Sequence, residues 1–235
     1  MKRTLGILSA VLLSLPFGAR AQSQPISIGA SASFLAPVGS LAYRFRSTVG
    51  GCLEITPSSG GQPVWSGSFE YFAFDRENTD KLILTRKVQD AGMEREFKIP
   101  LSLLTMKLEA IGVGANARFN LVTVGKIEAN LDLGFGVYRW FFSRSGYYDT
   151  LRVSTSTGPA IAEILRVPEV TQQDWSGGFH GGAEVTVPVV EPVSVHLGAR
   201  YKVIVGELWP ALALDLDNVS TLRMLEIRFG ISAAF

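Results

Sequence analysis

From Leu222 to Phe235 the chain alternates almost without fault. Leu225, Ile227, Phe229, Ile231, Ala233 and Phe235 fall on one face, while Met224, Glu226, Arg228, Gly230, Ser232 and Ala234 fall on the other. Only Arg223 breaks the pattern. A period of two means an extended strand whose two faces meet different surroundings. The apolar face suits hydrocarbon, and the face carrying charge and small residues suits the inside of a narrow transmembrane β-barrel.

The amino terminus supplies an independent constraint. Met1, Lys2 and Arg3 are followed by an apolar run from Leu5 to Gly18 and by Ala19-Arg20-Ala21, a small-x-small cleavage site. This is the pattern of a secretory signal peptide over residues 1–21, cut before Gln22, with 22–235 as one barrel domain. Pro16 and the shortness of the run argue against a membrane-spanning helix. Cleavage lowers the 22 basic residues to 19, against 21 acidic, a formal charge of −2. Nothing in that balance favours nucleic acid as a partner. Cys52 is the only cysteine, which excludes an internal disulfide and reads as a small strand residue.

Charged residues are 18% and hydrophobic residues 47% of the chain. That charged share is low for a water-soluble domain, where about 25% is usual. Yet no stretch of the mature chain has the ~20 uninterrupted apolar residues of a spanning helix. An exported, apolar chain without such a helix can pair its backbone amides in lipid only as a closed barrel.

Eight segments read as strands: 26–34, 51–56, 64–74, 105–119, 126–138, 175–187, 193–205 and 222–235. In 126–138, Ile127, Ala129, Leu131, Leu133, Phe135 and Val137 oppose Glu128, Asn130, Asp132, Gly134, Gly136 and Tyr138. In 64–74, where aromatics occupy both parities, Glu70 directs Trp65, Phe69 and Tyr71 outward. The fourth segment changes apolar parity near Ala110–Gly112, which reads as a β-bulge. Long and short connections alternate, as external loops and periplasmic turns do in outer-membrane barrels when both termini are periplasmic. Two aromatic girdles are expected, Phe34, Phe74, Trp140, Phe141, Phe142, Trp175 and Trp209 at one end and Trp65, Phe119 and Phe235 at the other.

The whole mature chain resembles the small eight-stranded outer-membrane β-barrel families, the type that includes OmpA-like, OmpX-like and OmpW-like barrels. Its closing strand resembles the C-terminal assembly signal of such barrels, on Phe229, Ile231 and the terminal aromatic Phe235. Phe34-Leu-Ala-Pro-Val-Gly-Ser-Leu41, followed by Tyr43-Arg-Phe-Arg46 and Gly50-Gly51, is similar to barrels common in Bacteroidetes-type bacteria. The resemblance implies an all-β, antiparallel up-and-down barrel in a Gram-negative outer membrane. Its implied partners are outer-membrane lipid and lipopolysaccharide, the barrel assembly machinery with periplasmic chaperones during insertion, and an envelope protein.

Inward parity collects Glu54, Glu70, Lys107, Glu109, Glu128, Asp132, His180, Glu184, His196, Arg200, Lys202, Glu226 and Arg228. Eight strands enclose a bore that side chains fill. A salt-bridged network of Glu128, Asp132, His180, Glu184, His196, Arg200, Glu226 and Arg228 is therefore expected, with Glu184, Arg200 and Glu226 contiguous. The expected role is structural or interactive, without enzymatic activity and without cofactor or metal. The alternatives are a narrow gated channel and, third, an enzyme acting on lipid A. The latter would need Ser176, His180 and Glu184 to cooperate, but residues four apart on a strand stand about 13 Å apart. Charged residues between 76 and 96 make a long loop in which Leu82-Ile83-Leu84 can extend a hairpin, and 158–170 reads as a short amphipathic helix or strand able to cover the mouth.

Overall fold

The computed structural model describes residues 26–57, 61–90, 93–155 and 158–235. The expected signal peptide, residues 1–21, lies outside the described residues. Eight strands close an antiparallel barrel: β1 (Ile26–Pro37), β2 (Thr48–Pro57), β3 (Val64–Phe74), β6 (Met106–Val124), β7 (Ile127–Arg144), β10 (Val170–Val190), β11 (Val193–Ile204) and β12 (Leu222–Ala234). Neighbours along the chain pair in turn, and β12 returns to β1, with Ser27 opposite Ala234 and Pro37 opposite Met224. The seam ends in a reciprocal backbone pair, Ile26 N to Phe235 O at 3.1 Å and Phe235 N to Ile26 O at 2.9 Å.

At the end that carries this seam pair, the strands are joined by short turns. Those between β6 and β7 and between β10 and β11 have two central residues each, and in the first Gly125 takes the left-handed conformation (φ +62°) that its position demands. The opposite end carries the long connections, and these are folded. The first holds a one-turn helix, α1 (Leu41–Arg44), and the second a hairpin of β4 (Ile83–Asp90) and β5 (Met93–Pro100). The third holds a hairpin of β8 (Tyr147–Thr155) and β9 (Gly158–Val167), and the last a 3₁₀ turn at Leu212–Leu214.

Several sequence expectations need correcting. Strand β7 runs on to Arg144 and β10 begins at Val170, so the wall rises beyond the predicted ends at 138 and 175. Of the two forms left open for the segment from 158, helix or strand, it takes the strand. There is no bulge at Ala110–Gly112: β3 and β6 pair without a break from Leu108 to Arg118, and the register shifts only between Asn120 and Val122. What changes at 110 is the environment inside the barrel. Met106, Leu108 and Ala110 point inward and are buried, which turns Lys107 and Glu109 outward, against the expected parity.

The interior is therefore two layers. Towards the loop end it is an apolar core in which strand residues Leu35, Phe72, Phe74, Leu108, Trp140 and Phe142 meet loop residues Leu41, Phe45, Leu82, Leu104, Leu214 and Val219. Phe45 sits edge-on to Phe142 with ring centroids 6.4 Å apart and lies 5.8 Å from Phe74. Each fully buried side chain of this size contributes about 1.5–3 kcal/mol. Phe74, Trp140 and Phe142 consequently leave the predicted aromatic girdle, while Phe34, Trp175 and Trp209 remain exposed on the outside. Towards the turn end the interior is ionic. Outside, Ile127, Leu131, Leu133, Phe135 and Val137 on β7, with Leu225, Ile227, Phe229 and Ile231 on β12, form part of a continuous exposed apolar belt.

Candidate functional site: the ionic interior and the loop cap

The ionic layer begins with alternation. Even-numbered residues of β10, β11 and β12 face inward, so His180, Glu184, His196, Arg200, Lys202, Glu226 and Arg228 all enter one space and all are buried. Arg200 Nε lies 2.7 Å from Asp132 Oδ2, and its Nη2 lies 3.7 Å from Glu184. Arg118, which the sequence reading did not single out, joins Glu184 at 3.0 Å to Glu54 at 2.8 Å. Arg228 reaches Glu54 at 3.5 Å and donates to Ser31 Oγ at 3.0 Å and to Cys52 Sγ at 2.7 Å.

Glu226 stands opposite Arg200 in register, yet its ion pair is with Lys202, at 2.9 Å. Lys202 also holds Glu70 at 2.6 Å, and these carboxylates accept further bonds from Ser33 Oγ (2.5 Å, on Glu226) and Tyr138 Oη (3.1 Å, on Glu70). Buried charges survive in low dielectric only when paired and hydrogen-bonded, and here the Ser33 and Tyr138 hydroxyls each add one bond to a carboxylate that Lys202 already holds. Glu128 has inward parity but lies exposed at the turn end, where it lines an open polar recess of about 420 Å³ with Arg118, Asn120 and Asn130. Phe229 and Ile231 face outward in the apolar belt, and Phe235 ends the seam with its ring exposed.

The two histidines need space that glycine supplies. A Cβ at Gly134 would run into the His180 ring, and one at Gly230 into the His196 ring. His180 Nε2 lies 3.3 Å from Asp132. The three groups an acyl-transfer reading would recruit go to different partners: Ser176 Oγ accepts from Trp140 Nε1 at 2.8 Å, His180 faces Asp132, and Glu184 faces Arg118 and Arg200.

Above the ionic and apolar layers the four long connections form a cap, and Arg86 on β4 ties it together. Its Nε pairs with Glu163 on β9, its Nη1 contacts both oxygens of Asp215 (3.1 and 3.0 Å), and its Nη2 donates to the Ala213 carbonyl at 2.9 Å. Burial opposes the Arg86 charge, but the two carboxylates outweigh it and raise its pKa. Asp215 holds its place in a left-handed conformation, φ +52°. Arg44 of α1 lies beneath, buried, with its guanidinium 5.7 Å from the Phe142 ring and donating to the carbonyls of Trp209 (3.2 Å) and Asp217 (2.6 Å). Burial, then the nearby Arg144 charge, bring its pKa down to about 10, with Asp217 pulling the other way. A cleft of about 500 Å³ opens between α1, the turn before β4 and residues 215–217.

No protein-family model and no curated protein matches the sequence. Solved structures are similar in fold. A major outer membrane protein from Thermus thermophilus aligns at TM-score 0.50 and 10% identity over 89% of this chain and 99% of that one. Neisserial surface protein A aligns at TM-score 0.47 and 16% identity over 89% and 97%. Ail, the attachment invasion locus protein of Yersinia pestis, aligns at TM-score 0.39 and 12% identity over 90% and 97%. At such identity the Thermus likeness carries fold alone: this chain has the fold of the eight-stranded outer-membrane barrels.

Proposed function

We propose that this protein is a plugged barrel of the bacterial outer membrane, with a structural or interactive role in the cell envelope rather than a transport or enzymatic one. The observation that carries this reading is the stacking of two filled layers across one narrow bore. The Lys202–Glu70–Glu226 and Arg200–Asp132–Glu184 groups cross the lower half, and the Phe45, Phe72, Phe74 and Phe142 rings lie above them. An eight-stranded wall leaves room for side chains and for little else. The signal-peptide pattern, the apolar belt and the charged interior together support export and outer-membrane residence, with the turns in the periplasm and the capped hairpins outside. What such a barrel offers to partners is its cap, where β4–β5 and β8–β9 stand above the lipid belt.

Planar-bilayer recording tests this. The purified, signal-cleaved chain is expected to insert without stepwise conductance, and Arg86→Ala, which loosens the cap but leaves the ionic layer, is expected to remain silent. Reproducible unitary currents from the unaltered chain would overturn the plugged reading and favour a conduit.

A further inference from the structure

The outer face of the barrel carries a cation that packs on aromatic rings rather than on an acid. Arg139 of β7 points outward and is exposed, directly opposite Ile111 on β6 and Trp175 on β10. Below it on the same face run Val137, Phe135, Leu133, Leu131 and Ile127. From Ile127 to Val137 the strand rises about 33 Å, or about 25 Å along the axis at the ~40° tilt of such barrels. That is the height of a lipid-facing belt, so Arg139 stands at its upper edge, where headgroups begin.

Its guanidinium is held there. The Phe141 ring centroid is 4.8 Å from Cζ and the Trp175 centroid 5.7 Å, two stacking contacts from residues on the same outer face. Glu109, the outward acid two residues from the Ile111 that faces Arg139, is already engaged with Lys107 at 2.7 Å and with the Tyr71 hydroxyl at 3.3 Å. Among the described residues no carboxylate forms an ion pair with Arg139. A planar cation fixed by two rings, lacking a protein anion and bordered by apolar wall, matches a phosphate attached to acyl chains: the fork takes phosphate oxygens and the belt takes the tails.

We propose that Arg139, Phe141 and Trp175 form a binding site for a lipid headgroup phosphate in the outer leaflet. This rests on the outer-membrane reading above, and free inorganic phosphate, which has no use for the belt, should not occupy it.

The test uses the full mature chain in maltoside micelles, with phosphatidic acid, diacylglycerol of the same chains, or inorganic phosphate added. Lipid retention is read by native mass spectrometry and Trp175 by fluorescence, with Trp175→Phe identifying its signal. Phosphatidic acid is expected to be retained about tenfold over diacylglycerol and to shift Trp175, a charge-assisted contact of about 1.4 kcal/mol. Arg139→Gln should abolish the preference, and Arg139→Lys should keep part of it, since a point charge replaces the stacked fork. Arg139 lies outside the interior layers, so both variants should still show the unheated gel shift of a folded barrel. Equal retention by wild type and Arg139→Gln, or equal competition by inorganic phosphate, overturns the site. A chain that stays dispersed without detergent and never enters vesicles overturns the membrane reading itself, and the site with it.

Discussion

Replacing Lys202 by methionine tests whether the ionic layer holds the barrel together. Lys202 is 1% exposed, and its ammonium lies between Glu70, 4% exposed, and Glu226, 2% exposed. Methionine fills nearly the same volume, so the change removes charge without opening a large cavity. Two carboxylates then remain buried side by side, with the Tyr138 and Ser33 hydroxyls that they had before but without a cation in ion-pair contact. Breaking a buried pair in this way costs about 3–5 kcal/mol. Neutralising both acids as well, in Lys202→Met with Glu70→Gln and Glu226→Gln, should recover all but about 1–2 kcal/mol, because no unpaired charge is left. Equilibrium urea unfolding in short-chain phosphatidylcholine vesicles, followed by tryptophan fluorescence, measures both. A single variant within about 1 kcal/mol of wild type would refute the account, as would a triple variant no more stable than the single.

Two further expectations concern the other surfaces. Phe229→Lys places a charge in the outward belt at a cost of about 2–4 kcal/mol and should block insertion, whereas Arg228→Ala, which leaves Glu54 on Arg118, should assemble with reduced stability; the folded fraction on unheated gels compares them, and equal tolerance would contradict the assigned faces. Arg86→Ala removes the side-chain ties from β4 to Glu163, Asp215 and Ala213, leaving Thr85 N on Asp215 at 3.3 Å, and should speed limited proteolysis within 75–104 and 205–221 while the barrel band persists; an unchanged cleavage pattern would show that Arg86 does not hold the cap.

The barrel was legible because alternation is a two-state code wherever one face meets lipid and the other meets charge. Strands around Ile127–Val137 and Leu225–Phe235 satisfy it, and their faces were read correctly. The code fails where both faces are apolar. Leu108, Ala110, Phe74, Trp140 and Phe142 enter the apolar layer, so their parity imitates a bulge in one strand and a girdle in others. The clue was the loops themselves: Leu41, Phe45, Leu82, Leu104, Leu214 and Val219 are too apolar for purely solvated connections and needed something to cover. In the ionic layer, sequence collected the members of one parity but could not pair them, because strand stagger decides which side chains meet. Glu226 therefore finds Lys202 rather than Arg200, and Arg118 emerges as a bridge between Glu54 and Glu184.

The seam between the first and last strands has a kinetic meaning. Every contact from Ser27–Ala234 to Pro37–Met224 joins the first barrel strand to the last, so the cylinder cannot seal until all eight strands are present. Until the closing hairpin arrives, β1 presents an unpaired row of amides, the template on which foreign chains stack. Such long-range zippering is intrinsically slow. The hazard of stray pairing is therefore greatest in the interval before the two margins meet.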